Sequence, residues 1–258
     1  MDVNVAGTCR ISLELVPRDA GELMRELTEV RHRLPGVATI NVPDLPRFTL
    51  RAWEGCAMAR QAGFASAIPH VRAMDFAPDA PLPFLEPLRQ AGLRELLVIT
   101  GDPPPEGHPR YATTAVDLLA RLRREAPELT LYAALDPYRW GFQDELEYLR
   151  RKKDAGAHGF FTQPFFDLRL MAIQAELLEG ETIFWGISPV ATDQSRRYWE
   201  KRNKAIFPRD FSPTDAWNHA FGRAALAQAR AAGQHVYFMP ILHEPVAYMR
   251  AVLDSQDS

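Results

Sequence analysis

Short apolar, β-rich runs alternate with longer amphipathic stretches along this chain, and that alternation constrains its fold more than any other feature. Residues 9–15, 38–42, 65–71, 96–101, 130–135, 159–163, 182–187 and 235–241 read as strands. Several have apolar residues at consecutive positions, as in Leu96-Leu97-Val98-Ile99, which predicts a sheet covered on both faces. The stretches between them carry helical spacing. Residues 19–33 place Leu23, Leu27 and Val30 on one stripe, and residues 113–124 do the same with Val116, Leu119 and Leu122. Residues 144–155 carry Leu146 and Leu149, with Gly156 positioned as a C-terminal cap. Residues 213–232 read as one long helix ended by Gly233, and the proline-rich segments 78–87 and 103–109 read as loops.

Strands that alternate with helices build parallel sheets, either open or closed into a barrel. The even strand count and the lack of a Gly-x-Gly-x-x-Gly turn after the first strand favour closure. The expectation is a single (β/α)8 TIM barrel over residues 1–258, a length that suits one such domain.

Composition excludes several function classes. A charged fraction of 24% and a formal net charge of −3 give no electrostatic footprint for nucleic acid or an anionic membrane surface. No apolar run reaches the roughly 18 residues of a membrane span, and residues 1–7 lack the pattern of a signal peptide. Cys9 and Cys56 are expected to be free thiols in a reducing, cytoplasmic compartment. The seven histidines are scattered, so no metal site is expected.

In a barrel of this kind the active site lies at the C-terminal strand ends, so polar residues there are informative. Nearly every predicted strand ends in a polar residue beside proline or glycine: Glu14, Asn41 and Asp44, His70, Asp102, Asp136, Gln163, Ser188 and His243. Their register suggests one pocket holding Glu14, Asp102 and Gln163. Glu14 stands out because a carboxylate in an apolar strand is costly unless paired or functional. The others have structural alternatives. His70 can satisfy a loop carbonyl, Asp102 can form a turn, Asp136 and Asp167 can cap helices, and Arg151-Lys152-Lys153 can be a solvated helix face.

Five segments, in order, carry a resemblance to a known family. They are Ser12-Leu13-Glu14-Leu15-Val16-Pro17, Gly101-Asp102-Pro103-Pro104, Asp154-Ala155-Gly156-Ala157, Phe161-Thr162-Gln163-Pro164-Phe165-Phe166-Asp167 and Gly186-Ile187-Ser188-Pro189-Val190. Together they resemble the methylenetetrahydrofolate reductases over nearly the whole chain. The resemblance implies reduction of 5,10-methylenetetrahydrofolate to 5-methyltetrahydrofolate with NADH or NADPH. It implies that Glu14 is the acid that opens the five-membered ring and that Asp102 favours the cationic iminium. Gln163 would bind the pterin, Tyr198 would stack on substrate, and Asn41 and His70 would join them as substrate-binding residues. Tyr111, Ala112, Arg151 and Lys152 match cofactor-binding positions.

The sequence also departs from the family, whose usual members are flavoproteins. Thr100 stands where an arginine usually precedes Gly-Asp, Leu135 replaces a tyrosine, Arg139 a histidine and Tyr148 a small polar residue. The second strand reads Asn41-Val42-Pro43-Asp44 instead of Thr-Tyr-Gly, and the last reads Tyr237-Phe238-Met239-Pro240 instead of Tyr-Thr-Leu-Asn. Losing these contacts together should weaken or abolish FAD binding. The chain therefore resembles the family's smaller flavin-independent branch, in which hydride passes directly from the nicotinamide to the folate. The alternatives are a conventional FAD-dependent reductase and a non-catalytic folate-binding barrel. Retained Glu14 argues against the latter, since a binding protein has no use for a ring-opening acid.

Overall fold

A computed structural model describes residues 9–16, 18–103, 106–241 and 243–254. The motif prolines Pro17 and Pro104, Leu242 of the last strand-end segment, and the first seven residues lie outside these. Eight parallel strands close into a barrel in chain order: β1 (Ile11–Glu14), β2 (Thr39–Val42), β3 (Ser66–Arg72), β4 (Glu95–Ile99), β5 (Thr130–Leu135), β6 (Gly159–Pro164), β7 (Ile183–Ile187) and β8 (His235–Phe238). Closure comes from β1 pairing with β8, with Leu13 opposite Phe238.

Helices α1 (Ala20–Arg33), α2 (Ala52–Gln61), α3 (Leu85–Gln90), α4 (Ala115–Glu125), α5 (Phe142–Asp154), α6 (Leu168–Leu177), α7 (Asp193–Asn203), α8 (Asp215–Ala231) and α9 (Pro245–Leu253) follow the strands. Their starts obey capping chemistry. The Asp19 side chain accepts from the Glu22 amide at 2.8 Å, and Thr114 and Asp117 form a reciprocal box at the start of α4. Gly156 and Gly233, with φ of 118° and 65°, let the chain turn after α5 and α8, where an L side chain would be strained.

Most boundaries shift by one or two residues from the sequence reading, and three differences have a clear physical reason. β8 stops at Phe238 rather than residue 241, since Pro240 has no amide to donate to a ladder. β4 stops at Ile99, and Gly101 turns away with φ 91°. The segment 78–87 is not wholly loop, because α3 begins at Leu85 and tolerates Pro87 in its first turn, where amides lack helical partners anyway.

Side chains alternate along each strand, so residues two apart point into the barrel together. At the N-terminal end the fill is polar. Arg10 pairs with Glu95 at 2.7 Å and donates to Thr39 and Ser66, while Tyr132 donates to Glu95 at 2.8 Å. Above this lies an apolar belt of Ile68, Leu97, Phe161, Phe184 and Tyr237, in which the rings of Phe161 and Phe184 stack 4.1 Å apart. The remaining core packs between the barrel and its helices.

The β6–β7 register shifts between Phe161 and Pro164. The shift depends on Gly186, whose amide donates to Thr162 Oγ1 at 2.7 Å. A Cβ built on Gly186 would lie 2.4 Å from the Thr162 carbonyl oxygen and 2.8 Å from Met239 Cε. Backbone, not only a flexible side chain, would have to move. Gly186→Ala is therefore expected to lower stability by about 1–3 kcal/mol, as overpacking does. An unchanged denaturant midpoint in that variant would show that the strands separate without cost.

Candidate active site

The C-terminal mouth of the barrel opens on a cavity of ≈ 700 Å³. Its floor is set by strand alternation. Glu14 at the end of β1, His70 on β3, Ala134 on β5 and Tyr237 on β8 all face it. Phe161, Thr162 and Gln163 are consecutive on β6 and still all line it. Strict alternation forbids that, and the register shift against β7 accounts for it. Thr192, Gln194, Ser195, Tyr198 and Asn203 from α7 and the turn before it form one side of the mouth.

Glu14 is buried, and the Tyr237 hydroxyl donates to its Oε2. Burial pushes its carboxyl from an ordinary 4.5 up to about 7, against the opposing pull of the Tyr237 hydrogen bond. The tyrosine is raised in turn, by its own burial first and then by the carboxylate beside it. The pair is thus a carboxylic acid that holds a proton near neutrality within a cavity able to admit a ligand.

A second polar chain lies beside it. Ser12 Oγ bonds to Asn41 Oδ1, which turns the amide nitrogen of Asn41 toward His70 Nε2 at 3.2 Å. An amide N–H can only donate, so Nε2 accepts and the ring proton sits on Nδ1. Burial lowers the His70 pKa to about 3, which keeps the ring neutral. Asn41 is fully buried and is absent from the cavity lining; it orients His70, which is present there.

Asp102 and Gln163 share the cavity with Glu14, as the strand-end register predicted. Asp102 is exposed at the rim and pairs with Arg202 across the mouth at 3.2 Å. Arg72 Nη2 donates to its backbone carbonyl at 2.6 Å and holds the loop. Tyr198 is 59% exposed on α7, with its ring beside Trp199.

The remaining candidates lie apart. Tyr111 lines a separate groove with Arg51, Trp53 and Asp75, and Ala112 is exposed next to it. Arg151 is exposed on α5. Lys152 differs from the solvated-face alternative, being 2% exposed with Nζ donating to the Ala134 carbonyl. It lies on the inner stripe of α5 with Glu145 and Leu149, so it points toward β5. Burial lowers its pKa to about 7. Asp167 caps α6 by accepting from the Arg169 amide at 2.9 Å, whereas Asp136 accepts from the Tyr138 amide in a tight turn. Among the described residues, no group of three or more His, Cys, Asp or Glu is arranged to hold a metal ion. No helix among them is long and apolar enough to cross a membrane.

Sequence reasoning passed over Tyr237, Arg202 and Lys204. Tyr237 was recoverable from the period-two pattern of β8, which puts it on the inner face with Met239.

The family profile of methylenetetrahydrofolate reductase matches residues 2–213. The chain belongs to this family. Curated relatives include the 5,10-methylenetetrahydrofolate reductases of Escherichia coli and Shigella flexneri, each 34% identical over 104 residues, which is 40% of this chain and 35% of theirs. The chain thus aligns with about a third of the length of these relatives. Among solved structures, a 2,3-dimethylmalate lyase of the PEP mutase/isocitrate lyase superfamily superposes with TM-score 0.59 at 12% identity, covering 97% of this chain and 80% of the other. An oxaloacetate acetylhydrolase superposes with TM-score 0.57 at 11% identity, covering 90% and 75%. These likenesses show the barrel fold alone.

The raised pKa of Glu14 has a consequence for stability. The folded protein binds the Glu14 proton more tightly than the unfolded chain, so this stabilisation is full below the unfolded value near 4.5 and fades as pH rises through about 7. A Gln at this position never ionises. The stability difference between Glu14→Gln and the parent should therefore shift in favour of the variant between about pH 5 and pH 8, by up to about 1.4 kcal/mol per pH unit. Parallel denaturation profiles across that range would mean that Glu14 is already ionised in the fold.

Proposed function

We propose that this protein reduces 5,10-methylenetetrahydrofolate to 5-methyltetrahydrofolate with NADH or NADPH, by direct hydride transfer and without a flavin. The observation that carries the reduction reading is Glu14, a buried acid with a pKa pushed up to about 7 inside the barrel cavity. Its proton goes to the bridging nitrogen of the folate. The bond between that nitrogen and the methylene carbon breaks, leaving a cationic iminium. A nicotinamide supplies the hydride that completes the methyl group. Glu14 is left as a carboxylate, held by the Tyr237 hydroxyl until solvent returns a proton.

Other residues position and stabilise. Asp102 brings a negative charge to the rim of the cavity in which the iminium forms. Gln163 offers an amide donor and acceptor to the pterin edge. Neutral His70, fixed by Asn41, offers an Nδ1 donor without adding a positive charge that would oppose the iminium. Tyr198 provides an exposed ring for stacking at the mouth.

The flavin-free reading is supported by the wall between β4, β5 and α5, which does not fit an FAD. Lys152 is engaged by the Ala134 carbonyl and lies 4.0 Å over the Tyr148 ring. Arg139 makes a two-pronged pair with Glu145 and stacks over Trp140 and Tyr148. Lys152 is engaged by the protein itself, so a flavin phosphate would have to displace that contact. Tyr111, Ala112 and Arg151 then have no flavin to hold, and the cytoplasm is the compartment that supplies the reductant.

Oxidation of NADH should accompany methylenetetrahydrofolate consumption by purified protein, at a rate unchanged by added FAD. A strict requirement for FAD would restore the flavoprotein mechanism; no turnover with NADH or NADPH, with or without FAD, would favour the folate-binding barrel. Glu14→Gln should bind folate yet lose at least about a hundredfold in turnover, as removal of a general acid does. Near-normal turnover in that variant would remove Glu14 from the acid role.

A further inference from the structure

Among the described residues, no lysine or arginine lines the cavity that holds Glu14; its charged side chains are the carboxylates Glu14 and Asp102. A folate ends in carboxylates and a nicotinamide dinucleotide carries a diphosphate, so the anionic part of each must sit elsewhere. A second chamber of ≈ 410 Å³ adjoins the first and shares Asp102, Gln163, Tyr198 and Asn203 with it. To these it adds one carboxylate, Asp136, whose side chain accepts from the Tyr138 amide, and three cations, Arg139, Arg202 and Lys204. We propose that this chamber binds the diphosphate of NADH or NADPH, and that Asp102 and Gln163 form the boundary across which the nicotinamide reaches the folate. The proposal rests on the direct-transfer reading, which requires both substrates in the barrel mouth at once.

Three features fit the assignment. Arg139 is held rigidly by Glu145 and by the rings of Trp140 and Tyr148, so its position costs little to organise on binding. Arg202 is the opposite case: its pair with Asp102 is solvent-exposed on both sides, at 57% and 81%, and such pairs are weak enough to exchange for a phosphate. Lys204 ends α7 in a left-handed conformation with φ 56°, the only non-glycine residue among those described with positive φ. Glycine would adopt that conformation without steric cost, so the backbone gains nothing from lysine there. The side chain is what the position retains, and it puts a cation at the chamber wall. The chain carries a net charge of −3, so three cations around one small chamber do not reflect a generally basic surface. A diphosphate matches them because its charges are adjacent, whereas the carboxylates of a glutamate tail are spread along a flexible chain.

Calorimetric binding of ADP-ribose, which has the diphosphate but no nicotinamide, tests the site without any turnover. Arg202→Gln and Lys204→Gly should each weaken ADP-ribose binding about tenfold, the usual scale for one charge-assisted contact. They should also flatten its salt dependence. Lys204→Gly removes the cation while easing the backbone, so its thermal stability should hold, which separates lost binding from lost fold. Arg202→Lys should recover part of the loss. The KM for NADH should rise in step, with the KM for a monoglutamyl folate within about twofold of the parent. Unchanged ADP-ribose affinity in both variants would overturn the proposal. So would weakened binding of polyglutamyl folate with ADP-ribose unaffected, which would assign the chamber to the folate tail. Variant-sensitive ADP-ribose binding in a protein that turns over only with FAD would uphold the site while removing the direct-transfer reading.

Discussion

Closure of the sheet is the constraint on which everything else in this molecule depends. With strands paired around a full circle, every second side chain must point into a space that has room only for side chains. Polar groups there need partners from other strands, because water has little access. At the N-terminal end Arg10 and Glu95 satisfy each other and draw in Thr39, Ser66 and Tyr132. At the C-terminal end the fill stops short and leaves a cavity. There, among the described residues, the Glu14 side chain has Tyr237 as its hydrogen-bond partner, and burial outweighs that one bond and holds its pKa up. A second donor would favour the carboxylate and pull the proton off; removing Tyr237 would leave nothing to hold the charge once the proton is given up.

The fold was legible in the sequence because barrel strands must be apolar and their separators must be helical. Every strand lay where the apolar runs put it, with ends displaced by Pro240 and Gly101. Glu14, Asp102 and Gln163 were legible as one site for a related reason, since strand ends of a parallel barrel converge on one mouth. Lys152 was harder. Inside a run of Arg151-Lys152-Lys153 its charge points to solvent, but its spacing from Glu145 and Leu149 points inward, and burial follows the spacing. Apart from Tyr198, which the family resemblance supplied, the residues of α7 were not legible, because a rim helix carries no apolar stripe strong enough to show which of its polar faces overhangs the cavity.

The family profile spans residues 2–213, most of the chain. Several of the departures lie on the side of β4, β5 and α5, where Arg139 pairs with Glu145 and both Arg139 and Lys152 pack over the Tyr148 ring, while others lie on β2 and β8. Each change alone would merely alter a contact. Together they form a set of ion pairs and ring contacts that engages Lys152 and holds Arg139 in place at the chamber wall.

The ion pair between Asp102 and Arg202 links the two chambers of the proposed site. While Arg202 faces Asp102, the carboxylate is partly neutralised and is a poor stabiliser of a cationic iminium. A dinucleotide whose phosphates draw Arg202 away would restore the full charge of Asp102 at the moment the hydride donor is in place. Ring opening without a donor present would then be disfavoured, which protects a reactive iminium from water. Coupling of this kind needs no moving domain. It needs only one exposed arginine with two anionic partners of comparable attraction, and Arg202 pairs with Asp102 while lining the chamber proposed for the diphosphate.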